Sequence, residues 1–111
     1  MRATPRSAPE TRLLRLAPQD NVLTALATLE PGEAVGIDGA TVVLAQRVPF
    51  GHKLAARPIA AGEKILKYGV PIGSATQPIA RGEHVHTHNL KSDYLPTWLR
   101  EDQERYFQHD T

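Results

Sequence analysis

The chain has 111 residues, 41% of them hydrophobic, with 8 glycines, 9 prolines and no cysteine; such a length makes one small domain that buries only about two thirds of its unfolded surface, leaves little room for a deep catalytic cleft of its own, and raises the expectation of a partner. Without cysteine there are no disulfides, thiolate zinc sites or Cys nucleophiles, and the cytoplasm is the default compartment. Thirteen Lys and Arg against twelve Asp and Glu leave a net +1, and aromatics reach only 5%, which argues against nucleic acid as a partner.

Residues 1–12 are rich in Arg, Pro, Ser and Thr and have almost nothing to bury, so they read as a disordered lead-in. They lack the apolar centre of a signal peptide, and no apolar run anywhere approaches the ~20 residues needed to span a bilayer, so a membrane role is not expected. Charge is unevenly spread. Residues 1–16 hold four Arg against Glu10, and residues 92–111 hold two Arg against five acids, so ends of +3 and −3 flank a middle of +1. From Pro18 to Leu29, Asp20 is an N-cap candidate, and Val22, Leu26 and Leu29 follow at spacings of four and three, which predicts a short amphipathic helix ended by Pro31-Gly32.

After Gly32 the style changes to strands. Ala34-Val35-Gly36-Ile37 and Thr41-Val42-Val43-Leu44, separated by Asp38-Gly39, read as a hairpin. Short β-branched pieces broken by Pro and Gly continue to about residue 91, too tightly spaced for βαβ crossovers, and predict a mainly β body. One phrase recurs as Leu29-Glu30-Pro31-Gly32-Glu33-Ala34-Val35, Ile59-Ala60-Ala61-Gly62-Glu63-Lys64-Ile65 and Ile79-Ala80-Arg81-Gly82-Glu83-His84-Val85. A Gly that supplies positive φ between two apolar residues is turn chemistry feeding strands, a better explanation than catalysis by Glu33, Glu63 or Glu83. The last segment, residues 92–111, carries the only Trp, and Thr97 is placed to cap a helix with Glu101 and Asp102 in its first turns. Such a tail either packs on its own domain or docks on a partner.

Three of the five histidines fall in Gly82-Glu83-His84-Val85-His86-Thr87-His88-Asn89. Alternation on a strand would set His84, His86 and His88 on one face, suited to metal ligation or to acid/base work. Asn89 is a candidate to orient an imidazole or bind a substrate hydroxyl. His52 and Lys53 in Pro49-Phe50-Gly51-His52-Lys53, and Lys67 and Tyr68 in Lys67-Tyr68-Gly69, add titratable groups beside glycines, which let a ligand come close. The lysines suit a carboxylate, and His52 and Tyr68 suit proton transfer, with metal ligation also open to His52.

With Asp20-Asn21-Val22, Val48-Pro49-Phe50-Gly51-His52-Lys53, Lys67-Tyr68-Gly69, Pro71-Ile72-Gly73 and His84-Val85-His86-Thr87-His88-Asn89 in this order, the chain resembles the N-terminal domain of altronate/galactarate dehydratases over residues 13–91. The resemblance implies a SAF domain of β-clip type, joined to or encoded apart from a much larger domain that dehydrates sugar acids. Sulfolactate sulfo-lyase, whose small subunit is such a module, is the nearby alternative, and a non-catalytic sugar-acid or protein binding module is another. By the same resemblance His52, Lys53, Lys67 and Tyr68 are expected in catalysis, Asn89 in substrate binding, and His84, His86 and His88 at a divalent metal, Fe, Mn or Mg, held in the complex. The implied partners are a separately encoded large dehydratase subunit and a small hydroxy acid, with homo-oligomerisation open and little activity expected alone.

Overall fold

The computed structural model describes residues 10–93, and these form nine strands joined by turns, with no helix. They are β1 (Leu13–Leu14), β2 (Val22–Ala25), β3 (Ala34–Ile37), β4 (Ala40–Val43), β5 (Lys53–Ala55), β6 (Lys64–Lys67), β7 (Val70–Ala75), β8 (His84–Val85) and β9 (Leu90–Lys91). A central antiparallel sheet has the order β1-β2-β5-β8, β3 pairs with β4, and β6, β7 and β9 form a third sheet. Among the described residues no helix is long and apolar enough to cross a membrane.

The mainly β expectation holds, and the hairpin predicted around Asp38-Gly39 is present as β3–β4. Asp38 and Gly39 have φ of 50° and 84°, and Tyr68 and Gly69, between β6 and β7, have 60° and 78°. Positive φ at both central residues is the type I′ geometry that matches strand twist. The helix predicted over Asp20–Leu29 is instead strand β2 in the centre of the sheet. Its neighbours cover both faces, so Val22, Leu23 and Ala25 are all buried and the strand shows no alternation that would betray it. Asp20, read as a helix cap, is a buried clamp. Its carboxylate accepts the backbone N–H groups of Ala17, Tyr68 and Gly69 at 2.8–3.0 Å, fixing the β6–β7 turn onto the start of β2.

The central sheet separates two apolar clusters. Leu23, Ala25 and Leu54 face one side with Leu29, Val35, Ile37, Leu44 and Val48. Val22, Ala55 and Val85 face the other with Ile59, Ile65, Ala75 and Ile79. Each cluster is covered by one of the hairpins, β3–β4 or β6–β7, and burying a side chain such as Leu54 or Ile65 fully is worth about 1.5–3 kcal/mol.

The Gly-Glu phrase forms three identical turns. In each, the Glu N–H donates to the carbonyl three residues back, at 3.1, 2.9 and 2.9 Å, and its carboxylate accepts the N–H of that same residue, at 2.8, 2.9 and 2.9 Å. Gly32, Gly62 and Gly82 have φ of 84–90°, as the third position of a type II turn requires. A fourth copy has the same backbone: Gly51 has φ of 83°, and His52 N–H donates to Pro49 O at 2.9 Å. Here the first residue is proline, which has no N–H for a carboxylate to accept. The position held by Glu elsewhere is thereby free to carry His52.

The helix expected from Thr97 lies outside the described residues, as does the 92–111 tail, read as packing on its own domain or docking on a partner, apart from Ser92 and Asp93; the Asp93 carboxylate accepts from Ser74 Oγ at 2.6 Å and pairs with Lys64 at 2.8 Å. Of the predicted lead-in, Glu10 and Arg12 are attached to the domain. Glu10 accepts from Gly36 N–H at 2.7 Å and pairs with Arg12 at 2.8 Å, and the Arg12 guanidinium holds its pKa down at about 2.

Candidate histidine site

Strand register brings the histidines together. In the β5–β8 pair Lys53 lies opposite Val85 and Leu54 opposite His84, so continuing by one residue sets His52 across from His86, with His84 on the diagonal. Side chains alternate along a strand, which places all three on the Leu54 face. The His52 and His86 rings stack with centroids 4.5 Å apart and planes 19° apart. His52 and His84 stack at 5.1 Å, with Nδ1 of the first and Nε2 of the second at hydrogen-bond distance, 2.9 Å.

The expected strand from His84 to His88 is not formed. β8 ends at Val85, and the chain turns through 86–89, with Asn89 N–H donating to His86 O at 3.1 Å. Asn89 causes this turn: its Oδ1 accepts His86 N–H at 2.9 Å, and its Nδ2 donates to His84 O at 2.9 Å. It is 0% exposed, and its amide holds the backbone of His84 and His86. His88 is exposed, its ring 5.6 Å from His84 and tilted by 40°. The group that converges is therefore His52, His84 and His86, whose ligand nitrogens all lie within 4.8 Å of one another. Sequence alternation alone pointed to His88 in place of His52.

Burial, then the imidazoles of His52, His86 and His88 and the Lys53 ammonium, push His84 down to about 4. Burial, then His52, Lys53 and His88, also lowers His86. Both rings are thus neutral at neutral pH and offer lone pairs. Lys53, half-buried on β5, is lowered by burial and then by the charge of Lys67. Lys67 and Tyr68 stand at the β6–β7 tip, the Lys67 Nζ 5.2 Å from the centre of the Tyr68 ring. Tyr68 is 65% exposed. A positive φ is uncommon for a bulky residue, and here the Asp20 clamp holds it. Two supporting residues escaped the sequence reading. Asp20 was taken for a cap, and Gln46, whose Oε1 accepts His84 N–H at 3.0 Å, gave no local signal because its partner lies 38 residues away.

A model of the altronate/galactarate dehydratase SAF domain matches residues 11–93. The chain belongs to this family. It is similar to altronate dehydratase of Escherichia coli strain K12, 50% identical over 74 residues that cover 67% of this chain and 15% of the relative. Altronate dehydratase of Bacillus subtilis strain 168 is 40% identical over 80 residues, 72% of this chain and 16% of the relative. The (2R)-sulfolactate sulfo-lyase subunit alpha of Chromohalobacter salexigens is 53% identical over 45 residues, 40% of this chain and 48% of the relative. The SAF domain of this chain thus matches only a small part of the altronate dehydratases.

Proposed function

We propose that this SAF domain is the small subunit of a sugar-acid hydro-lyase of the altronate/galactarate type, contributing His52, His84, His86 and Lys53 to a site completed by a separately encoded large subunit in the cytoplasm. The observation that carries this reading is the convergence of His52, His84 and His86 on one partly exposed sheet face; Lys53, the next residue along β5, points to the opposite face, yet its charge acts on His84 and His86, and it has no carboxylate partner among the described residues. The relatives named subunit alpha of (2R)-sulfolactate sulfo-lyase support a multi-subunit arrangement.

The overall reaction is an α,β-elimination. The bond from the α carbon to hydrogen breaks as a base takes the proton, the electron pair forms the double bond, and the β-hydroxyl leaves with a proton as water. In the metal-free chain the His52–His84 pair at 2.9 Å shares one proton between its facing nitrogens, so a substrate proton is accepted or returned at an outer ring nitrogen and not at that contact. Lys53, half-buried and without an acidic partner among the described residues, binds and orients a substrate carboxylate, with Lys67 and Tyr68 at the neighbouring tip extending the cationic and hydroxyl edge. Asn89 and Gln46 hold the histidine backbone and so position the rings. The imidazoles of His52, His84 and His86 are the donors this chain offers to a divalent metal, which when bound supplies Lewis-acid polarisation of the carboxylate. An imidazole set suits iron better than magnesium, which prefers oxygen ligands.

A second reading, the small subunit of a sulfo-lyase, is favoured by the relatives named subunit alpha of (2R)-sulfolactate sulfo-lyase, of which the matched segment makes up 48% and 67%. Sulfite would then be the leaving group in place of water. In a complex reconstituted with the large subunit, replacing His52 and His86 together by Ala should reduce turnover by at least about 100-fold, the scale of lost acid/base catalysis. Turnover near wild type in that double variant would reduce the domain to a docking or binding module.

A further inference from the structure

We infer that His52, His84 and His86 form a three-imidazole site for one transition metal ion on this chain itself, and that His88 is not among the ligands. The inference deepens the functional reading by naming the ligands, and it can be tested without the reaction.

The geometry is that of a metal site before closure. A metal–nitrogen distance of about 2.0–2.1 Å at tetrahedral or octahedral angles sets ligand nitrogens roughly 3–3.5 Å apart. One pair already stands at 2.9 Å, and all three nitrogens lie within 4.8 Å of one another, so modest ring rotations suffice. Each ligand is held by a different device. His52 sits on the turn that Pro49 frees from its usual glutamate, His84 is fixed by pairing with β5 and by Gln46, and His86 is fixed by the Asn89 clasp. Backbone placement of this kind keeps a ligand set together in the metal-free protein.

The donor chemistry narrows the ion. No Asp or Glu joins the group among the described residues, and Glu83, the nearest acid in sequence, is turned back to Ala80 N–H. A set of imidazoles without carboxylates selects Zn, Fe, Ni or Cu over Mg or Ca. Three ligands on a partly exposed face leave coordination positions open to water or a hydroxy acid, the pattern of catalytic and not structural sites. The alternative set of His84, His86 and His88 fits less well, because the His88 ring is tilted by 40° from His84 and His88 does not join the nitrogens that lie within 4.8 Å of one another.

The test is titration of the metal-free full chain with Zn(II) by calorimetry and with Co(II) by visible absorption. One ion per chain is expected, with d–d bands of nitrogen-rich Co(II). His52→Ala, His84→Ala and His86→Ala should each weaken binding by about 100-fold or more, a loss at least as large as removing an outer-sphere partner causes, and His88→Ala should leave it unchanged. In the wild-type chain, so that no variant need fold, paramagnetic Co(II) should broaden the ring signals of His52, His84 and His86 most. No stoichiometric binding, or loss of binding with His88→Ala but not with His52→Ala, overturns the assignment. If the reconstituted complex turns over while the chain binds no metal, this inference fails and the functional reading stands. A chain that binds metal in a complex without lyase activity sinks only the functional reading.

Discussion

Replacing Asn89 by Ala removes the clasp on which the histidine turn rests. Its amide makes two bonds at 2.9 Å, accepting from His86 N–H and donating to His84 O, in a residue that is 0% exposed. Each bond contributes about 1 kcal/mol net, and a donor or acceptor left buried without a partner costs about 1–3 kcal/mol. Partial access of water to the two orphaned groups then sets the loss at about 2–4 kcal/mol. With a urea slope of about 2 kcal/mol per molar, mid-range for a small domain, the unfolding midpoint should fall by about 1–2 M. Urea unfolding followed by circular dichroism measures this, and the ring signals of His84 and His86 should move while those of residues in β3–β4 stay. An N89A midpoint within about 0.3 M of wild type would show that the clasp does not hold the turn, and with it would go the claim that Asn89 places the two histidines.

Gly73→Ala should destabilise the domain by more than about 2 kcal/mol, because an added Cβ would sit 2.1 Å from Lys91 O and 3.3 Å from a Leu90 methyl, forcing β9 off β7; an unchanged melting temperature would contradict the β7–β9 register. Tyr68→Asn should hold or raise stability by up to about 1 kcal/mol, since Asn accepts a positive φ more readily than Tyr, yet should lower turnover of the reconstituted complex; equal turnover removes Tyr68 from the site. Glu10 has a folded pKa of about 2 against 4.5 unfolded, so its contribution is present above pH 4.5 and is lost as pH falls from 4.5 towards 2. Glu10→Gln should therefore lower stability at pH 7 by about 1 kcal/mol, after allowing for the solvent-exposed Arg12, and should flatten that acid limb; unfolding curves at pH 7 and pH 3 decide it.

Much of the fold was legible because turn chemistry is local. Asp38-Gly39, and the Gly-Glu phrase at 29–35, 59–65 and 79–85, announce hairpins and type II turns through the few residues that tolerate positive φ. The fourth turn was hidden by the same physics: once Pro49 removes the N–H, the glutamate that marks the motif is no longer needed, and the copy at 48–54 loses its signature. β2 was misread as a helix because burial on both faces erases the period of two, and Val22, Leu26 and Leu29 then satisfy a helical spacing by coincidence. At the site, the histidines and Lys53 were visible as residue types, but their grouping depended on the β5–β8 register, a pairing 32 residues apart. Alternation along a single strand joined His88 to His84 and His86, whereas the turn closed by Asn89 ends that strand and brings in His52.

The most direct measurement is turnover of altronate, galactarate and (2R)-sulfolactate by this chain alone and together with the large dehydratase component. Elimination of water or sulfite from one of them only when both are present, and its loss when His52 and His86 are replaced, is the expected result. Full activity of the small chain alone, or no dependence of the complex on this chain, would contradict its place as one part of a shared site.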